Sequence, residues 1–306
     1  MIQRQPLIVP FTKMNGAGND FVVLDNRFLR FSEAELEALA RRVCPRWTGV
    51  GADGLLALDP PEAASGDGAA EGDASGGTDF RMRYRNADGS LATMCGNGAR
   101  CLARFAARAG LGRDTPEGTR LAFMTDGGRY TARVTPEADA PASVMLDVPS
   151  PRGFGASGAT SDLGDVHQIW TGTEHAVVFV EDVDAAPVAT EGERLRHDPA
   201  FAPAGTNVNF VQRAAASGAR GERIRVRTFE KGVEAETLAC GTGAMAAALV
   251  ARLAGGVDAD SIAVEMPGGT LGVGFQVVDG EVRGLTLSGP AEFVYEGTLE
   301  WWGGEE

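Results

Sequence analysis

The pattern Cys-Gly-x-Gly-Ala occurs twice, as MCGNGARCLARFA at Met94–Ala106 and as ACGTGAMAAALVA at Ala239–Ala251, with the two cysteines 145 residues apart. Each copy runs straight into a helix-like stretch, and each follows a strand-like run and a turn containing asparagine or acid. A repeated order of this kind predicts two similar domains. The expected class is α/β (α+β), with two pseudo-symmetric domains, each a sheet wrapped around a central helix. At 306 residues the chain is long enough for two such cores.

Local patterns fill in this plan. FSEAELEALARRVCP reads as a helix, opened by a Ser32–Glu35 capping box and ended by Pro45. GARCLARFAARAG places Leu102, Phe105, Ala106 and Ala109 on one face and stops at Gly110. HAVVFVEDV and GTNVNFVQR read as strands, and ERIRVRTFE alternates Ile224, Val226 and Thr228 with arginines, as a half-buried strand does. Gly241–Leu253 is almost wholly Ala, Met, Val and Leu, which predicts a helix buried on most sides. Pro60–Thr78 is Gly, Ala, Ser and acid without a large apolar residue, and is expected to be a disordered insertion.

Charge and cysteine usage exclude several classes. The formal net charge of −14 argues against nucleic-acid binding, which needs a basic surface. No apolar run of membrane-spanning length is present, and the N-terminus lacks the apolar core of a signal peptide, so a cytoplasmic enzyme is expected. Cys44, Cys95, Cys101 and Cys240 are read as thiols, with Cys44 and Cys101 as packing residues. No C-x-x-C pair occurs, and His167, His175 and His197 lack helical metal-ligand spacing, so no metal site is expected.

Chemistry points to the paired loops. A cysteine just before a helix meets unpaired backbone N–H groups and the positive end of the helix dipole, which favour the thiolate. The glycines let an anion such as a carboxylate approach those N–H groups. If both helix starts serve one substrate, one thiolate can remove an α-proton while the other thiol supplies a proton from the opposite face. The helix ends would then stabilise the charge that develops on the carboxylate, with no need of pyridoxal.

The motifs FTKMNGAGNDFVVLDNR, GVGADGLL, RNADGSLATMCGNGARC, GTEHAVVFV, GTNVNF, FEKGVEAETLACGTGA and GPAEFVYEG, in this order, resemble the diaminopimelate epimerase family of cofactor-independent two-cysteine enzymes. The resemblance implies two domains with the active-site cleft between them, and usually a homodimer. It implies that a last strand, near Phe293–Trp301, returns to the first domain. The expected division is 1–142 plus 293–306, with the acidic insertion at about 60–78, and 143–292.

Carried over by position, Cys95 and Cys240 are implied as the acid–base pair, assisted by His175 and Glu230. Gly96 with Asn97, and Gly241 with Thr242, are implied to hold the α-carboxylate. Asn19, Asn86 and Asn207 are implied to line the cleft, and Glu230 to hold the ammonium. Lys231 stands where the family usually has an arginine for the distal carboxylate. The sequence departs from the family at Thr173-Glu174-His175, where Asn-Pro-His is common, and in a Glu230–Cys240 segment one residue longer.

The reading that follows is epimerisation of LL- and meso-diaminopimelate in lysine and peptidoglycan precursor biosynthesis, without cofactor. The partners expected are a small amino acid and a second subunit, with no nucleic acid or membrane. The alternatives are another cofactor-independent racemase, of the proline, hydroxyproline or histidine type, or a thiol redox protein.

Overall fold

Parallel neighbours in a sheet cannot be joined by a tight turn, so each parallel step needs a crossover, usually a helix. This requirement organises the whole chain. A computed structural model describes residues 5–61, 77–135, 143–213 and 222–303. Of the acidic insertion expected at 60–78, residues 62–76 lie outside the described residues.

The chain divides into two compact units, Met1–Leu146 with Pro290–Glu306, and Asp147–Gly289. The first begins with β1 (Leu7–Gly16), β2 (Asn19–Asp25), the short α1 (Asn26–Leu29), α2 (Glu33–Val43), β3 (Gly54–Asp59) and β4 (Phe80–Asn86). It continues through α3 (Gly96–Arg108), β5 (Arg113–Thr115), β6 (Gly118–Thr125) and β7 (Gly128–Val134). Strand β8 (Ser143–Asp147) reaches the division. The second unit holds β9 (Arg152–Ala156), β10 (Val166–Trp170), β11 (Glu174–Phe179), α4 (Val188–Arg196), β12 (Asn207–Arg213) and β13 (Glu222–Glu230). After these come β14 (Ala235–Thr237), α5 (Gly241–Leu253), β15 (Ser261–Met266), β16 (Gly269–Val278) and β17 (Glu281–Pro290). Strand β18 (Glu292–Trp301) then runs antiparallel to β1, with Leu7 opposite Trp301.

The pairing pattern is the same in both units. Antiparallel β1–β2 is followed by parallel β2–β3, antiparallel β3–β4, parallel β4–β6 and antiparallel β6–β7. In the second unit β10–β11, β11–β12, β12–β13, β13–β15 and β15–β16 repeat that alternation. The crossovers correspond: α2 and α4 serve the first parallel step, α3 and α5 the second. Helix α3 packs on β1, β2, β3, β4, β6 and β7, and α5 on β10, β11, β12, β13, β15 and β16. Each unit is therefore a sheet wrapped around one central helix.

Sequence patterns account for the elements that carry the site. Ser32 caps α2 by a full capping box with Glu35, and its apolar face (Leu36, Leu39, Ala40, Val43) covers β1, β2 and β3. Ile224, Val226 and Thr228 point inward from β13, as their alternation predicts. Helix α5 buries every residue from Gly243 to Ala251. The stripe expected on α3 is corrected at its end: Ala109 is exposed and Phe105 half-buried, whereas Arg100, Cys101 and Ala103 are fully buried. Strands surround α3, so the buried arc is wider than one stripe at its start, and the helix emerges into solvent at its end.

Candidate active site

In the first unit Cys95 is the N-cap of α3, with extended backbone (φ −138°, ψ 120°). Its carbonyl accepts the first helical bond from the N–H of Ala99 at 2.8 Å. The N–H groups of Gly96, Asn97 and Gly98 have no partner within the helix, the usual condition of a first turn. Cys95 is half-buried, in contrast to Cys44 and Cys101, whose thiols burial pushes up to about 12. Those two are packing residues.

A hydrogen-bonded chain supports this loop. Arg100 Nη2 donates to Asn97 Oδ1 (2.7 Å), Asn97 Nδ2 to Asn19 Oδ1 (2.6 Å), and Asn19 Nδ2 to Asp53 Oδ2 (2.9 Å). Each donor and acceptor fixes the next, so both amide orientations are set. Arg46 then bridges Asp53 and Asp20, and Lys13 pairs with Asp20 at 2.6 Å. Burial would raise the Asp20 carboxyl, but hydrogen bonds from Arg46 and Lys13 outweigh it and hold Asp20 down at about 2. Asn86 ends β4, and its amide is occupied by the following turn, donating to Ser90 Oγ at 3.0 Å. Asn19 and Asn97 are thus brought together, while the bonds of Asn86 go elsewhere.

In the second unit Cys240 is the N-cap of α5 (φ −121°, ψ 109°), and Ala244 N–H donates to its carbonyl at 2.8 Å. Its sulfur is buried, accepts from the Gly243 N–H at 3.4 Å and lies 3.4 Å from Thr242 Oγ1. Thr171 Oγ1 donates to the Thr242 carbonyl at 2.9 Å, tying β10 to the loop.

His175, the second residue of β11, lies directly opposite Asn207, the first residue of the parallel strand β12. Asn209, two residues on, has its Nδ2 3.1 Å from His175 Nδ1, and its Oδ1 accepts from Thr228 Oγ1 at 3.0 Å. The amide therefore presents its NH₂ group to the ring, so Nδ1 accepts and the neutral imidazole carries its proton on Nε2. Burial first, then nearby Lys231, lowers the His175 pKa to about 3 against the opposing pull of Glu174. Its Nε2 is buried without a hydrogen-bond partner among the described residues.

Glu230 ends β13 with a pKa raised by burial, and its carboxylate accepts from Thr237 Oγ1 at 2.8 Å. Asn207 is committed to its surroundings, donating to the Glu174 carbonyl (3.1 Å) and accepting from the Lys231 N–H (2.8 Å). Lys231 Nζ lies 2.6 Å from Glu174 Oε2, which also accepts from Thr173 Oγ1 at 3.1 Å. The two positions that depart from the family are thus partners of each other.

Sequence reasoning missed Arg100, Asp53, Asn209 and Thr237, which hold other site residues. The first stands inside the quoted GNGARC motif and the third inside GTNVNF, but their types gave no sign of which neighbour they would meet. Chemically, each loop offers a thiol at a helix N-terminus. The second unit adds a neutral imidazole donor and a half-buried carboxyl group.

Comparison with known proteins identifies the family. The sequence model described as diaminopimelate epimerase matches residues 11–150 and 168–294. A diaminopimelate epimerase of Chlorobaculum tepidum is 41% identical over 287 residues, 94% of this chain and 99% of that protein. An O-ureido-serine racemase of Streptomyces lavendulae is 36% identical over 311 residues, covering 97% of each chain. Among solved structures, a phenazine biosynthesis protein of the PhzF family from Bacillus anthracis superposes with a TM-score of 0.71 at 15% identity, covering 96% of this chain and 99% of that one. That last likeness is one of fold. Matched over nearly its full length in sequence, the chain belongs to the diaminopimelate epimerase family.

Proposed function

We propose that the protein interconverts LL- and meso-diaminopimelate by two-base proton transfer, Cys95 and Cys240 exchanging the roles of base and acid with direction. The observation that supports this most is the placement of a cysteine as N-cap of a 13-residue central helix in each of two similarly connected units. One thiolate takes the α-proton and becomes a thiol; the other thiol gives its proton to the opposite face and becomes a thiolate. The two sulfurs thus exchange protonation states, and the next reverse turnover or exchange with water restores them. First-turn N–H groups of α3 and α5 bind the α-carboxylate and stabilise charge that spreads onto it as the proton leaves.

Other groups take supporting roles in this scheme. Glu230, with Thr237 as its partner, receives the substrate ammonium, whose charge favours the ionised carboxylate. The Nε2–H of His175 donates toward the Cys–substrate region, and Lys231 meets the distal carboxylate. Asn19 and Asn97 orient the substrate from the first loop. Asn207 contributes by setting the Lys231 backbone, and Asn86 by shaping its turn. The place of the reaction is lysine and peptidoglycan precursor synthesis in the cytoplasm, with a homodimer as the working form.

A second reading is racemisation of an amino acid with a different distal group. The Lys231–Glu174 pair and the O-ureido-serine racemase relative favour its inclusion in the substrate panel. The test is proton exchange in deuterated water with LL-diaminopimelate, followed by NMR. Deuterium wash-in with meso product, reduced about 10²- to 10⁴-fold or more in Cys95→Ala and Cys240→Ala, is expected. Wild-type turnover by either variant would refute the two-base scheme. Exchange by the intact enzyme with another amino acid alone would establish the second reading.

A further inference from the structure

Arg100 is the largest fully buried side chain of the described residues, and it lies five residues beyond Cys95 in α3. A buried guanidinium ordinarily has a carboxylate beside it, because removing an unpaired charge from water is costly. Here its hydrogen-bond partners are neutral: Nη2 donates to Asn97 Oδ1 at 2.7 Å and Nε to the Pro290 carbonyl at 3.4 Å. Its Nη1 is buried without a partner among the described residues.

Among the described residues, charged side chains on β1 to β4 have partners of their own, and the strands β6 and β7 add arginines (Arg120, Arg129 and Arg133) but no carboxylate. Lys13 on β1 and Asp20 on β2 satisfy each other. On β3 and β4, Asp59 pairs with Arg83, Arg85 with Glu33, and Arg81 with Asp126. Arg104 of the same helix feels Glu292 of β18 and Arg108. On its own helix, the thiols of Cys101 and Cys95 are groups whose ionisation would favour the Arg100 cation. Cys101 is fully buried and stays protonated, so of these two thiols the half-buried Cys95 is the one that can answer the cation.

We infer that Arg100 is a positioning residue for the first loop, fixing the Asn97 carboxamide by a charged hydrogen bond and stabilising the Cys95 thiolate with its uncompensated charge. The inference rests on the reading of Cys95 as an acid–base group. A glutamine can still donate to Asn97 but carries no charge, whereas a lysine keeps the charge and loses the planar fork. Arg100→Gln and Arg100→Lys therefore separate the two effects.

The direct readout is the rate of Cys95 carbamidomethylation by iodoacetamide as a function of pH, resolved from the other cysteines by peptide mass spectrometry. It needs no substrate, so failure of the intact enzyme to turn over diaminopimelate would leave this result standing by itself. Arg100→Gln is expected to move the labelling midpoint upward and to lower kcat/KM about ten- to a hundredfold, the scale of one charge-assisted hydrogen bond. Arg100→Lys is expected to keep the intact enzyme's midpoint and to raise KM. An unmoved midpoint in a folded Arg100→Gln protein overturns the inference. If that variant does not fold, ¹⁵N-arginine NMR of the intact protein decides, with Arg100 assigned by loss of its signal in Arg100→Lys. The Arg100 guanidinium signal must titrate together with Cys95 and cease to do so in Cys95→Ser; a signal indifferent to Cys95 overturns the inference as well.

Discussion

The two cysteine loops share a backbone plan and differ in what stands behind it. Behind Cys95 lie polar and charged groups: a buried arginine, two linked asparagines, and the Asp53–Arg46–Asp20–Lys13 ion pairs. Behind Cys240 lies an apolar helix; the sulfur meets the Thr242 hydroxyl and a backbone N–H, and the charged groups of that unit's site, Glu230 and the Lys231–Glu174 pair, stand at strand ends rather than in a chain behind the loop. Even the caps differ, since Cys240 accepts a bond from its own helix whereas Cys95 makes no such side-chain cap. The same dipole thus acts in two dielectric settings. If the two thiols alternate as acid and base, as proposed, they are not tuned by the same means.

The second glycine of each motif provides the sharpest way to break this comparison. A Cβ built on Gly243 would lie 2.4 Å from Asn209 Oδ1, the atom whose bond to Thr228 aims the Asn209 amide at His175. A Cβ on Gly98 would meet Leu56 Cδ2 at 3.2 Å and Phe21 ring atoms at 3.5 Å, which are side-chain ends able to give slightly. Gly243→Ala should cost about 1–3 kcal/mol of stability and a comparable share of activity, and Gly98→Ala clearly less. Urea unfolding and kcat/KM on both proteins check this. Equal losses would mean that both glycines are there for a ligand's approach alone.

Acid should also separate the two units. The folded-state pKa of His175, about 3, is below the ordinary 6.5, so between these values the unfolded chain binds a proton that the folded one refuses. Stability contributed by neutral His175 is therefore full above the unfolded value and falls as pH drops through this window, by about 1.4 kcal/mol per pH unit where the difference is complete. Asp20 has its folded pKa depressed to about 2 from 3.8, so its contribution persists to lower pH and is lost only below 3.8. Urea midpoints from neutral pH to about pH 4.5 should thus fall less steeply in His175→Gln than in the intact protein. Identical slopes would show that the buried ring is not what acid attacks first.

Much of this was legible in the sequence, and the reason differs by element. The second central helix reads from end to end because a fully buried helix must be apolar all round, and Gly241–Leu253 is. Cysteine before glycine before a helix could be read as an N-cap thiol in both copies. Arg100 could not, because a lone arginine on a helix normally belongs to the solvent face, and its burial depends on the surrounding strands. Asn209 was hidden for a related reason: it sits among Val208, Phe210 and Val211 as one more inward residue of a fully covered strand. Helix α4 was also missed, since Val188–Arg196 is short and mostly polar and buries only Val188, Gly192 and Leu195.

The smallest expected effect concerns the ion pair that the comparison of loops leaves to the second unit alone. Lys231 and Glu174 are both partly exposed, and such a pair contributes about 0–1 kcal/mol to stability, so Glu174→Gln should barely change unfolding. Its effect on substrate is more informative, because Glu174 occupies the cation that would meet a distal carboxylate. If Lys231 binds that carboxylate, removing the competing acid should lower KM for diaminopimelate a few-fold at unchanged kcat. If Glu174 instead receives the distal ammonium, the same substitution must raise KM, and adding Lys231→Arg would not recover it. The sign of that change, read by initial rates on the intact and substituted enzymes, decides which end of the distal group the second unit recognises.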